Sequence, residues 1–145
     1  MDDNRRNTLR ETAERLLQYA SISDDGIISF DEDAAIAAGE DERIIQLGRD
    51  FASRDEAGWP IWGNWCGPGH GGGTVVDKID QACKNHDLCY ERAGNITFPA
   101  YNCACDKQLL RDLEAIDYMS LNIVQQEMLN KIYVFFLAYV ALHNC

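Results

Sequence analysis

The residues able to do chemistry lie between Trp65 and Asp106, in three runs. The first is Trp65-Cys66-Gly67-Pro68-Gly69-His70-Gly71-Gly72-Gly73, and the second is Asp80-Gln81-Ala82-Cys83-Lys84-Asn85-His86-Asp87-Leu88-Cys89-Tyr90. The third is Cys103-Ala104-Cys105-Asp106. Together they offer an imidazole base, an orienting acid and a carboxylate that can hold a cation, with cysteines to staple them. Five glycines between Gly67 and Gly73 let the backbone turn freely and expose its carbonyls. Calcium takes about six to eight oxygens at roughly 2.3–2.6 Å, and backbone carbonyls with one carboxylate are typical donors. Asp87 would supply the carboxylate. A hard cation does not compete for imidazole nitrogen, so His86 stays free to act as a base.

These groups need elements to position them. No proline interrupts Val75 to Gly94, and Ile79, Ala82, Cys83, His86 and Tyr90 recur near the helical period, which predicts a helix. Cys83, His86, Asp87 and Tyr90 stand at i, i+3, i+4 and i+7 and share one face. In a second helix, Cys105 and Asp106 point to similar sides while Cys103 lies almost opposite Cys105. The two cysteines are therefore expected to bridge to different elements. A Cys89–Cys105 bridge between antiparallel helices would bring Asp106 toward His86.

The runs Trp65 to Gly69 and Asp80 to Tyr90 resemble the calcium loop and active-site helix of the secreted, calcium-dependent phospholipase A2 family. The likeness covers roughly Trp62 to Asp106, under a third of the chain, but its spacing is very specific. It implies an all-α, phospholipase A2-like fold: two antiparallel disulfide-linked helices with a calcium loop, a helical N-terminal segment and a C-terminal helix. It implies His86 as general base, Asp106 orienting it, Tyr90 bonded to that aspartate, and the Gly67 N–H in an oxyanion hole. Trp65, Gly67 and Gly69 would give carbonyls to Ca2+, and Asp87 its carboxylate. The expected reaction is hydrolysis of the sn-2 ester of phospholipids at a membrane or micelle surface, by a secreted protein. The family also implies Cys66–Cys83 and Cys89–Cys105 bridges; Cys103 and Cys145 are then left to pair. Two features depart from the better-known venom and pancreatic members. Only 12 residues separate Tyr90 from Cys103, too few for their β-hairpin insert, and Ala82 stands where they carry a cysteine. This chain is closer to compact, hairpin-less relatives, a difference that bears on the substrate channel.

Composition narrows the alternatives. The chain has 145 residues, 46% of them hydrophobic, enough for one domain with a core. Its net charge of −11 argues against nucleic acid and against purely electrostatic attraction to anionic lipid. Six cysteines, all from Cys66 onward, suggest three disulfides and an oxidising destination. No apolar run follows Met1-Asp2-Asp3, so no secretory signal is visible; a signal already removed, another export route and a cytosolic setting all stay open. The apolar run Ile132 to Leu142 is 11 residues long, too short for a membrane span.

Residues 1–58 differ in character from residues 59–145, the expected catalytic domain. They have no cysteine, tryptophan or proline and carry 7 basic and 15 acidic residues, against 6 and 9 in the remainder. A pro-piece, a lid and an interaction region are the readings open for them. Leu9, Ala13, Leu16, Leu17 and Ala20 stripe a helix over Asn7 to Tyr19, with Thr8 and Glu11 as a capping box. A break follows at Ser21 to Ser29, then a helix over Asp41 to Arg54 with Ile44, Ile45, Leu47, Gly48 and Phe51 inward. Ser21 to Glu32 fits an EF-hand register, with Gly26 and Ile28 at its sixth and eighth positions. Serines at its first and third positions, where carboxylates belong, favour a plain turn between helices.

Of the three tryptophans, Trp65 is expected to pack around the disulfide, and Trp59 and Trp62 are candidates for a lipid interface. Asn95-Ile96-Thr97 is a glycosylation sequon. Further helices are expected over Tyr101 to Ile116 and Leu121 to His143, the latter apolar nearly all round in its second half and so buried. His70 belongs at the cleft rim, and His143 is structural or solvated. Two competing functions remain open: a zinc module built on Cys83, His86, Cys89, Cys103 and Cys105, and an inactive phospholipase-like calcium-binding or toxin module.

Overall fold

A computed structural model describes residues 1–94 and 101–145; the sequon at Asn95 lies outside them. Helix α1 (Asp3–Leu17) starts earlier than the Thr8/Glu11 box predicts, because the Asp2 side chain accepts the Arg5 N–H at 2.8 Å. Thr8 instead lies inside the helix and donates its hydroxyl to the Asn4 carbonyl. The predicted break is a short antiparallel hairpin, β1 (Ala20–Ile22) with β2 (Ile28–Phe30), so the fold is mostly rather than purely helical. Ile22 lies opposite Ile28, Ser23 Oγ accepts the Ile27 N–H, and Asp31 caps α2 (Glu32–Ala37). Two side-chain oxygens of the segment with the EF-hand register, Ser23 Oγ and Asp31 Oδ1, are thus committed to the hairpin and a helix cap.

Helix α3 (Glu42–Phe51) is capped by Asp41 and turns Ile44, Ile45, Gly48 and Phe51 inward, with Leu47 half-buried. A tight 3-10 turn, Arg54–Glu56, leads to the tryptophan-rich segment. Helix α4 (Lys78–Ala93) starts after its Asp77 cap and ends at Gly94, whose φ of 76° suits glycine. Helix α5 (Cys103–Glu114) is capped by Asn102, and α6 (Ile123–Leu142) by an Asn122–Gln125 capping box.

One core joins both ends of the chain. Leu16 of α1, Phe51 of α3, Leu109 and Leu113 of α5, and Leu129 and Phe135 of α6 lie in the same buried cluster. Helix α6 packs against α1 and α5, which is why its second half is apolar on nearly every side. Trp59 corrects the interfacial expectation. It is 7% exposed, stacks on Phe51 at 5.7 Å, meets Phe135, Phe136 and Tyr139 edge-on, and donates its indole N–H to the Phe51 carbonyl. An indole with its polar atom satisfied inside an aromatic cluster has no reason to seek lipid. Trp62 is half-buried and donates to Asp77 Oδ2 at 2.8 Å. Among the described residues, no helix is long and apolar enough to cross a membrane.

The disulfides are Cys66–Cys83, Cys89–Cys105 and Cys103–Cys145. Cys103 and Cys105 do bridge to different elements. No cysteine is free, which removes the zinc alternative, since a disulfide sulfur is not a thiolate ligand.

Candidate functional site

Helix α4 presents His86, Asp87 and Tyr90, and the first turn of α5 presents Asp106. The Cys89–Cys105 bridge ties the two helices beside them. Asp106 is fully buried, and its Oδ1 lies 2.7 Å from His86 Nε2. Tyr90 Oη donates to the same oxygen at 2.7 Å and accepts the Asn102 N–H at 3.0 Å. Burial, with the Asp106 charge second, holds the Tyr90 phenol far above its ordinary range, so it remains a donor. Asp106 Oδ2 meets no donor among the described residues.

This arrangement fixes the imidazole tautomer. A carboxylate oxygen can only accept, so Nε2 carries the proton and Nδ1 keeps its lone pair. Nδ1 lies 4.0 Å from Asp87 Oδ1. The ring has centroid separations of 4.8 Å from Tyr90 and 5.0 Å from Phe136, and its side chain is 12% exposed. A base held by a buried acid on one nitrogen and open on the other can take a proton from a bound hydroxyl or water.

The glycine-rich loop is held by a residue whose role the sequence reading missed. Asp80 is fully buried and accepts three backbone N–H groups: Trp65 at 2.8 Å, Asn64 at 3.1 Å and Val76 at 3.0 Å. Gly63 makes room for it, because a Cβ there would lie 2.5 Å from the Asp80 carboxyl carbon. The available signal was an acid between Ile79 and Ala82, on the face that turns inward. Trp65 donates its indole N–H to the Gly73 carbonyl across the loop, rather than merely packing on the disulfide.

Trp65, Gly67, Gly69, His86, Asp87 and Tyr90 all line one cleft of about 830 Å³, with exposed His70 also on its lining. Asp106 stands behind His86. The loop passes close over Asp87, since a Cβ on Gly71 would sit 3.5 Å from its Oδ2. Burial pushes the Asp87 carboxyl up to about 6; His86 opposes the shift and Asp80 adds to it. A carboxylate whose charged form burial disfavours, with the glycine-rich loop close by, is a group that a hard cation would stabilise. The Gly67 carbonyl already accepts the His70 N–H at 3.1 Å, which leaves it a second lone pair.

The apolar lining comes from residues outside the motif: Leu109, further along α5, and Ile132, Phe136 and Tyr139 of α6. Asp55 and Glu56, from the turn after α3, reach the same cleft. His143 lies apart from it, with Nδ1 2.9 Å from the Tyr139 carbonyl oxygen and its ring stacked on Tyr101.

No family model matches the chain, and no solved structure matches it. A relative among known proteins is the "Acidic phospholipase A2 homolog taipoxin gamma chain" of Oxyuranus scutellatus scutellatus, 50% identical over 36 residues. The match takes in 25% of this chain and spans 23% of the length of that relative. It supports a phospholipase A2 relationship, and the mostly helical, three-disulfide fold is consistent with one.

Proposed function

We propose that the chain is a calcium-dependent phospholipase A2, releasing the sn-2 fatty acid of a glycerophospholipid and leaving a lysophospholipid. The observation that carries this reading is the His86–Asp106–Tyr90 arrangement at the wall of a cleft with one apolar side. His86 Nδ1 accepts a proton from water as that water attacks the ester carbonyl. Asp106 keeps the ring in the required tautomer and stabilises the imidazolium that forms. The imidazolium then gives that proton to the departing sn-2 oxygen as the ester C–O bond breaks, which frees the lysophospholipid hydroxyl and the fatty acid. Tyr90 holds the Asp106 carboxylate in place. The Gly67 N–H donates to the developing oxyanion. Asp87 and the carbonyls of Trp65, Gly67 and Gly69 would hold Ca2+, which would supply Lewis-acid stabilisation of that charge. Leu109, Ile132 and Phe136 receive the acyl chain and exclude water. No covalent enzyme intermediate is required.

The working surface is a membrane or micelle, met peripherally, and the three disulfides suit an extracellular, oxidising setting. Residues 1–58 are read as part of the catalytic unit, because Leu9, Leu16 and Phe51 share its core. The test is fatty-acid release from phosphatidylcholine vesicles, with and without a calcium chelator. Release should require calcium and fall by about 10²–10⁴-fold in His86→Gln, with calcium binding retained by calorimetry. Retained turnover in that variant would refute the assignment. Calcium binding with no turnover by the unaltered protein would favour an inactive phospholipase-like module, a reading kept open by the word "homolog" in the relative's name.

A further inference from the structure

The N-terminal segment does more than cover core. Its last turn enters the cleft through Glu56, a residue outside the stretch that resembles phospholipase A2. Glu56 is half-buried, and its side chain makes no hydrogen bond or ion pair with the described residues. Loss of water raises its pKa above the ordinary glutamate value. A desolvated carboxyl without a partner is costly, and a cation brought beside it relieves that cost.

The backbone that delivers this carboxyl is strained and tightly held. Asp55 and Glu56 are consecutive non-glycine residues in the left-handed region, at φ of 54° and 58°. Each costs free energy and persists only where surrounding contacts over-determine it. Those contacts are present. Ser53 Oγ donates to the Asp50 carbonyl at 2.7 Å and accepts the Gly58 N–H at 2.6 Å. The Trp59 N–H bonds the Glu56 carbonyl, and the Trp59 indole is locked into the aromatic cluster. Lys131 of α6 pairs with Asp50 at 3.0 Å. A Cβ on Gly58 would come within 2.6 Å of Asp50 Cα, so the turn has no slack.

The charge balance of the cleft gives that position a consequence. Its acidic groups are Asp55, Glu56, Asp87 and Glu91; His70, His86, Tyr90 and Tyr139 are its other titratable groups, and no lysine or arginine lines it among the described residues. If Asp87 is spent on the cation that holds the ester, Glu56 remains as the most buried acid free to meet the polar end of the lipid. We infer that Glu56 is a specificity-determining residue, selecting phospholipids whose headgroup carries an ammonium group over those whose headgroup is neutral or anionic. This rests on the cleft being the lipid site proposed above.

The test is equilibrium binding to the full chain in calcium, followed by intrinsic tryptophan fluorescence, since Trp65 lines the cleft. The probes are monomeric dihexyl ether analogues of phosphatidylcholine and phosphatidylglycerol, which have no sn-2 ester to cleave; their dihexanoyl esters serve only for the measurement of fatty-acid release. The choline lipid should bind about fivefold or more tightly than the glycerol lipid. Glu56→Gln should bring the two within about twofold, and Glu56→Lys should reverse the order. On the unaltered protein, 1 M salt should shrink the preference, which needs no variant to fold. An unchanged ratio in folded Glu56→Gln, a preference insensitive to salt, or no binding of either lipid would overturn the inference. Fatty-acid release measured alongside separates the two readings. Choline-selective binding without hydrolysis would sink the catalytic proposal and leave the role of Glu56 standing.

Discussion

The outer face of residues 1–58 and the cleft between the glycine loop, α4 and α5 use the same side chains in opposite ways. On the outer face, carboxylates start helices and meet arginines in water. Asp2, Asp31 and Asp41 cap α1, α2 and α3, Arg15 pairs with Asp41 at 3.2 Å, and Arg49 pairs with Glu32. At the cleft, Asp80 and Asp106 are fully buried and hold backbone amides, an imidazole and a phenol in fixed places. Residues 1–58 contain no cysteine, while three disulfides tie the other region. The contrast teaches that burial, not residue type, decides whether an acid shapes local backbone or the geometry of a site.

The strongest way to break this contrast is to remove sulfur from the crossing of α4 and α5. Cys89 and Cys105 are 16 residues apart in sequence, and closing a loop of that size stabilises by about 3 kcal/mol in the chain-entropy account. Cys89→Ala with Cys105→Ala should lower stability by about that amount in urea titration. Amide exchange should speed first in α5, while α3, which carries no disulfide, stays protected longer. Equal loosening of both helices would mean that the two regions melt as one unit and that the bridge does not specifically secure the site.

A smaller effect comes from one substitution made in both regions. Asp80→Asn keeps the shape but turns an NH2 group toward at least one of the Trp65, Asn64 and Val76 amides. A buried donor left facing donors costs about 1–3 kcal/mol. Asp2→Asn at the exposed cap of α1 should cost almost nothing, because asparagine accepts from the Arg5 amide as well as aspartate does. Comparing the two urea midpoints isolates burial from chemistry. Equal losses at positions 2 and 80 would remove the distinction.

The sequence carried the local part of this picture and lost the tertiary part. The face shared by Cys83, His86, Asp87 and Tyr90 is a matter of helical spacing and is legible without coordinates. The meeting of His86 with Asp106 was legible only through the conditional Cys89–Cys105 bridge and the family resemblance, since 20 residues separate the pair. The hairpin escaped because strands of three residues, split by Ser23-Asp24-Asp25-Gly26-Ile27, give too short an alternation to register. Trp59 misled because three tryptophans in seven residues read as an interface, while the rings that bury it come from α3 and α6. Asp80 and Glu56 were invisible as site residues for a similar reason. What they do depends on a loop and a wall that local patterns do not place.

The finest test uses pH, because the two regions shift carboxyl groups in opposite directions. The Ile44 amide, with Arg15 assisting, holds Asp41 below the usual aspartate range. Its contribution is therefore present above the unfolded value near pH 4 and is lost as pH falls through the lower folded value. Burial raises Glu56, so the opposite holds. Its favourable share is complete below the unfolded glutamate value, near 4.3, and is lost as pH rises through the higher folded value. Glu56→Gln removes a charge that the fold disfavours and should stabilise the protein at pH 8 but scarcely at pH 3.5. Asp41→Ala should do the reverse, destabilising at pH 8 and less so at pH 3.5. Urea midpoints at the two pH values, in a calcium chelator, read both effects. A Glu56→Gln gain of equal size at both pH values would show that the turn, rather than the desolvated charge, was being relieved, and the cleft acid would then behave no differently from the surface ones.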